Sequence, residues 1–410
     1  MATKARKDSK GYALRLGECQ RNDGRYSYSY TDRNGERHSI YSKTLPELRT
    51  REKQLQRDYE DGLDPHAAAK LTLNHLYDRY ISQKHDLKPT TKANYKYMYN
   101  HFVRDTFGKR KLTEVRYSDI KEFYYNIIRE KQMKPNTLEN VHTQLHPAFQ
   151  MAVRDGVIRT NPTDGVMAEI KKSNIWDRPK RHALTIPQQQ AFMNFLEKDR
   201  EYEGWLPVIT VLLGTGMRIG ECLGLRWEDV DFEKRIISVN HNLTDRPDDK
   251  GECRKHIQTP KTKAGTRCIP IIDDVFEAFL SEYEIQKCLG FCEEEIDGYS
   301  GFIFATASHT VYSASAVNNA IHRATKAYNE KEEKLAKKEK REVVILPNFS
   351  AHNLRHTFCT RFCENETNLK VIQEIMGHAD ITTTMDIYAE ATAEKKKEVM
   401  TNLEGKIIIR

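Results

Sequence analysis

The stretch GTGMRIGECLGLRWEDV, residues 214–230, sets Arg218 and Glu221 one helical turn apart. Three further stretches answer it downstream. TPKTKAGTRCIPI (259–271) holds Lys261, SAHNLRHTF (350–358) holds His352 and Arg355, and IMGHADITTTMDIY (375–388) holds His378 and ends on Tyr388. Two arginines, a lysine, two histidines and a lone tyrosine make a candidate site for breaking a phosphodiester without metal. Such a bond resists attack because its anionic oxygens repel nucleophiles and its alkoxide leaves poorly. Neutralising the developing charge and protonating the leaving oxygen are therefore the two main tasks. Arginine suits the first, since its planar fork binds two phosphate oxygens and stays charged. Arg218 and Arg355 are far apart in sequence, as expected if two helices converge on one phosphate. A lysine on a hairpin turn suits the second task. Lys261 follows Pro260 between two strand-like segments, and Lys263, two residues on, is the alternative. Tyr388 is the candidate nucleophile. A phenol with a pKa near ~10 needs a base or a positive site to activate it.

In this order and with these flanking words, the chain resembles the tyrosine recombinase (phage-integrase) family, most of all the integrases of bacterial conjugative transposons. The resemblance spans about residues 11–395 and is strongest over 205–390. It implies that His352 is the general base, that His378 hydrogen-bonds the phosphate, and that Glu221 orients site groups without reacting. It also implies a 3′-phosphotyrosyl link at Tyr388 and a released 5′ hydroxyl, reversed by a 5′ hydroxyl from a partner duplex. No ATP, metal or other cofactor is expected, because arginines do what Mg²⁺ does elsewhere. Four strand cuts on double-stranded DNA imply four protomers passing through a Holliday junction. An accessory protein for excision or DNA bending is expected by analogy only.

At 410 residues the chain predicts two or three domains. No apolar run approaches the ~20 residues of a bilayer crossing, and the basic start lacks the apolar run of a signal peptide. The expectation is a bacterial cytoplasmic, nucleoid-associated protein. Its eight cysteines form no C-x-x-C pair, which argues against a zinc module. Cys359, Cys363 and His356 share one helical face, where buried thiols are the simpler reading than a metal site. Net charge is +7, but residues 1–172 hold 33 Lys and Arg against 22 Asp and Glu, and the remainder 33 against 37. A basic front half points to a polyanion, most economically nucleic acid.

The expected fold is multidomain and mostly α, with small β-sheets. Residues 1–65 predict a three-stranded sheet plus helix: Asn22-Asp23-Gly24 and Arg33-Asn34-Gly35 are turns, and Tyr26, Tyr28 and Tyr30 alternate with small polar residues. Arg21, Arg25 and Arg37 flank that sheet as candidate DNA contacts, and the segment resembles the arm-type DNA-binding domain of certain integrases. Residues 70–165 predict a four-helix bundle, with Pro147 kinking or splitting its last helix. Lys88, Lys92 and Lys96 form a stripe that could track phosphates. The bundle resembles the family's core-binding domain. Residues 166–182 predict a linker that lets two domains close on a duplex. Residues 183–395 predict the α+β catalytic domain, with 328–342 a charged insertion or a helix extension. The tail, 396–410, carries Ile407-Ile408-Ile409 and is expected to pack on a neighbouring protomer. Two other readings of the chain are a type IB topoisomerase and a non-catalytic DNA-binding regulator.

Overall fold

Tyr26, Tyr28 and Tyr30, alternating with Ser27, Ser29 and Thr31, build the first sheet, because a period of two sends successive side chains to opposite faces. The structure, a computed structural model, describes residues 6–31, 35–61, 63, 70–87, 89–173, 176, 182–247, 253–260 and 263–389. It divides into two units, residues 1–179 and 180–410.

In the first unit, β1 (Glu18–Gln20), β2 (Tyr26–Thr31) and β3 (Arg37–Ser42) form an antiparallel sheet in that order, with Tyr28 opposite Glu18 and Ile40. Helix α1 (Leu45–Glu60) starts at a Thr44 cap with Pro46 in its first turn. Leu45 and Leu48 bury against Tyr26, Tyr28 and Ile40. Arg49 grips the fully buried Glu18 carboxylate through Nε at 2.9 Å and Nη2 at 3.1 Å, fastening the helix to the sheet.

The bundle follows as α2 (Leu73–Ser82), α3 (Pro89–Tyr99), α4 (Tyr117–Glu130), α5 (Pro135–Arg154) and α6 (Val166–Lys172). Tyr77 and Tyr99 stack at its centre, ring centroids 3.5 Å apart, with hydroxyls donating to Gln144 and Asn74. Two expectations are corrected. Pro147 does not split the last long helix: α5 runs through it, anchored on both sides by buried Leu145, Ala148 and Phe149. The linker does not begin at 166. Val166, Met167 and Ile170 are spaced to bury one face into the bundle core, so residues 166–172 are a fifth helix.

In the second unit, α7 (Ile186–Lys198) and α8 (Leu206–Thr215) lead to the short α9 (Ile219–Leu223). Helix α8 is apolar nearly all round and lies buried among its neighbours. Strands β4 (Val230–Asp231), β5 (Ile236–Val239) and β8 (Arg267–Pro270) make one antiparallel sheet; β6 (Asn242–Pro247) and β7 (Cys253–Gln258) make a separate hairpin. The two strand-like segments that flank Lys261 in sequence do not pair with each other: β7 pairs with β6 and β8 with β5, while Lys261 itself lies outside the described residues. Asp297 accepts the Ile257 amide at 2.9 Å and Glu294 binds Lys255 at 2.8 Å, bracing β7 from the side. Helices α10 (Asp273–Leu289), α11 (Ala314–Glu339), α12 (Ala351–Asn365) and α13 (Leu369–Met376) complete the unit, and residues 381–389 are again helical. The charged run from 328 is the outer part of α11, a helix extension. Among the described residues no helix is long and apolar enough to cross a membrane.

Candidate active site

Arg218 stands where α8 stops. Thr215 ends that helix, Gly216 takes the left-handed conformation (φ +63°), and a Cβ there would meet Phe358 Cδ1 at 2.4 Å, so only glycine fits. Two residues later Arg218 caps α9. Its backbone N–H donates to Glu221 Oε2 at 3.0 Å and its Nη1 to Oε1 at 2.7 Å; Nη2 reaches the Gly377 carbonyl at 3.2 Å. The Arg218 side chain is 43% exposed, whereas that of Glu221 is 5% exposed. Burial pushes the Glu221 carboxyl up, but Arg267 first and Arg218 second outweigh it and hold it below the usual carboxylate range.

Arg355 approaches from α12, almost wholly buried. Nη1 donates to the Gly216 carbonyl at 2.7 Å and Nη2 to the Met376 carbonyl at 2.6 Å, so one guanidinium ties the end of α8 to the end of α13. Burial, with the Arg218 and Arg267 charges nearby, pushes it down to about 10, still cationic at neutral pH. His352 lies one turn earlier in α12 and is exposed. Arg218, His352 and Arg355 line one groove of about 470 Å³, together with Thr244 of β6 and Ser315 of α11.

Helix α13 ends on Gly377, left-handed at φ +62°, and delivers His378 beside the arginines. The His378 ring is buried, with Nδ1 3.0 Å from Thr384 Oγ1. Burial, then the charges of Arg355, Arg218, Arg267 and His352, push it down to about 4. The imidazole is therefore neutral at pH 7. Its folded pKa is below the unfolded value of 6.5, so the unfolded chain takes up the proton first, and this group costs stability as pH falls from 6.5 towards 4. We expect the His378 ring proton in an NMR titration to move with a midpoint below about 5. A midpoint near 6.5 would mean that the ring is solvated and not held among the guanidiniums.

Tyr388 is half-buried and packs on the cluster of Cys359, Cys363, Ile372 and Met376, as do Ile387 and Phe362. It lies one helical turn after Thr384, the His378 partner. The structure thus pairs Arg218 with Glu221, binds Arg218 and Arg355 to the consecutive Gly377 and Met376 carbonyls just before His378, and sets His352 on the same groove as the two arginines. Lys261 and Lys88 lie outside the described residues, as does the 396–410 tail. The proposed DNA contacts Arg21, Arg25, Arg37, Lys92 and Lys96 sit in the other unit. Arg25 is engaged by Asp23 at 2.6 Å, Arg21 lies over the Tyr41 ring, and Lys96 is exposed. Cys359 and Cys363 are core residues.

One arginine escaped sequence reasoning. Arg267, at the start of β8, donates Nη2 to Glu221 at 2.9 Å, Nε to the Ile375 carbonyl at 2.7 Å and Nη1 to the Gly265 carbonyl at 3.2 Å. Its signal was present in the strand period. Arg267 shares a face with the buried Ile269, and a charge on the inward face of a strand implies a buried counter-charge.

Residues 182–395 match the phage integrase family, residues 2–59 the DNA binding domain of tn916 integrase, and residues 72–128 the phage integrase N-terminal SAM-like domain. The transposase from transposon Tn1545 of Streptococcus pneumoniae is 33% identical over 414 residues, covering 97% of this chain and 96% of that one. The structure of the Tn1549 transposon integrase in complex with transposon right end DNA is 32% identical, with a TM-score of 0.70 over 82% of this chain and 100% of that one. A lambda integrase tetramer bound to a Holliday junction is 18% identical, with a TM-score of 0.55 over 92% of this chain and 95% of that one, a likeness of fold.

Proposed function

The chain belongs to the phage integrase family of tyrosine recombinases, and on that premise we propose how its own residues divide the work of cutting and rejoining DNA at the ends of a transposon. The observation that carries the assignment is that Arg218 and Arg355 both bond to the Met376–Gly377 turn that leads to His378, and share one groove with His352. Each guanidinium has five N–H groups, of which the bonds described use two. The remainder can take the two non-bridging oxygens of a scissile phosphate. His378, neutral and held at Nδ1 by Thr384, offers Nε2 to the same phosphate. His352 accepts the phenolic proton as Tyr388 attacks phosphorus. The bond to the 5′ oxygen breaks, and Lys261, with Lys263 the other candidate, returns a proton to that oxygen. The result is a 3′-phosphotyrosyl link and a free 5′ hydroxyl, and a second 5′ hydroxyl runs the steps backwards.

Exchange between two duplexes needs four cuts, which favours a tetramer on DNA with a Holliday junction between its two halves. The similarity to a transposase extends through the sheet domain, which favours recombination over relaxation by a lone protomer, and over DNA binding without chemistry. The first-unit sheet, with Arg21 and Arg37 exposed, and the Lys92–Lys96 side of α3 are the proposed further DNA contacts. A cytoplasmic, nucleoid-associated place and an accessory DNA-bending protein are consistent with this chemistry.

The experiment is a nicked suicide duplex carrying a transposon end. Escape of the short 5′-hydroxyl strand should leave a denaturant-stable adduct on the 3′ phosphate, and a second duplex with a free 5′ hydroxyl should capture it. Relaxed plasmid without such capture would favour the topoisomerase reading. The tail is a separate proposal, as a segment that packs in trans. Removing residues 405–410 should leave single-site binding intact and reduce assembly of the four-protomer complex, seen in native gels. Unchanged assembly would remove that role.

A further inference from the structure

Glu221 is a buried carboxylate one turn from an arginine whose charge the reaction needs. At 2.7 Å it would be expected to compete with a phosphate for Arg218. The structure contains a second cation that answers this problem. The Arg267 side chain is 6% exposed, against 43% for Arg218, and its bonds end within the protein: on Glu221, on the carbonyl at the end of α13, and on the Gly265 carbonyl. The fit is close. A Cβ on Gly377 would lie 2.9 Å from Arg267 Nη1 and 3.0 Å from the Ala264 carbonyl, so the bare turn after α13 is what leaves Arg267 its place. Arg267 is spent on the protein; Arg218 reaches into the groove.

We propose that Arg267 is a positioning residue for strand cleavage: it supplies the counter-charge of Glu221 and so leaves the Arg218 guanidinium to the scissile phosphate. The proposal rests on the reading of Arg218 given above. Three guanidiniums, those of Arg218, Arg267 and Arg355, surround one carboxylate, leaving a net charge of about two for a phosphate. Without Arg267 that surplus halves, and Glu221 has Arg218 as its remaining ion-pair partner among the described residues. Arg218 is then drawn back into the protein. Arg267 also ties the Lys263–Gly265 turn to the end of α13, so the segment just after Lys261 and the segment leading to Tyr388 share one anchor.

The test follows single-turnover adduct formation on the nicked duplex, with duplex affinity and thermal melting measured on the same full-length proteins. Arg267→Met should slow adduct formation about 10²-fold, the size seen when one donor to a developing anion is lost, with duplex affinity changed less than about threefold. Arg267→Lys keeps the counter-charge of Glu221 but loses the fork to the two carbonyls, so it should be slowed, though by no more than about tenfold from the parent. The deciding variant is Arg267→Met with Glu221→Gln. Removing the unpaired carboxylate should recover at least about tenfold of the rate lost in Arg267→Met. A residue that only braced the fold would give a double variant as slow as Arg267→Met, or slower, and that result overturns the proposal. An Arg267→Lys that melts near the parent yet is slowed about 10²-fold also overturns it, and does so even if the Met variant fails to fold. Failure of the underlying reading looks different: Arg218→Lys would then form adduct at the parental rate, whatever the Arg267 variants do.

Discussion

Tyr388→Phe is expected to bind a nicked transposon-end duplex as the parent does and to form no denaturant-stable adduct. The ring is what the fold uses: it packs on Cys359, Cys363, Ile372 and Met376, and phenylalanine keeps that contact. Only the oxygen goes. The stability cost of one hydroxyl is about 0.5–1.5 kcal/mol, while loss of a sole covalent nucleophile elsewhere costs on the order of 10⁶ in rate. Adduct should therefore vanish from the gel while the mobility shift persists. Binding should still weaken steeply with salt in both proteins, because phosphate contacts release counterions. Adduct formation by Tyr388→Phe at a measurable rate would move the nucleophile to another residue and undo the assignment of the whole site.

The legible part of this site was the part written close to backbone landmarks. Gly216 and Gly377 are left-handed turns with a polar residue one or two positions beyond, so Arg218 and His378 follow from local sequence words. His352 and Arg355 are three apart on one helix, and a period of 3.6 was enough to put them on one side. Arg267 was hidden because its partners are remote: Glu221 is 46 positions away and the Ile375 carbonyl 108. Strand pairing hid in the same way. The segments around Lys261 read as neighbours, yet β8 pairs with β5 and β7 with β6, and such long-range choices leave little local trace. Helix α6 was mistaken for linker because Gly165 and the basic run at its end look like loop. Its apolar spacing at Val166, Met167 and Ile170 was the outweighed signal. The sheet domain was easier, since turn residues and strict alternation both act over a few positions.

Arg355→Lys should fail twice, and the two failures should be separable. The guanidinium bridges the Gly216 and Met376 carbonyls from within the core, at 2.7 and 2.6 Å, and a lysine ammonium is a compact point charge that cannot span both. At least one of two buried carbonyls then lacks its donor, at a cost of about 1–3 kcal/mol, readable as a lower urea midpoint at unchanged slope. The chemical loss should be larger than that shift explains. Cleavage should fall about 10²–10³-fold even where the variant is fully folded, because one charged donor to the phosphate is displaced from its place. Its position is also what sets the end of α8 against the end of α13, and hence Arg218 against His378. The contrast with Arg218→Lys is the informative comparison. Arg218 is half-exposed and bonded mainly to Glu221, so its lysine variant should lose rate with little loss of stability. Equal loss of stability in both variants would mean that Arg355 is not the structural keystone its two carbonyl bonds imply. A parental cleavage rate in Arg355→Lys would remove it from the phosphate altogether.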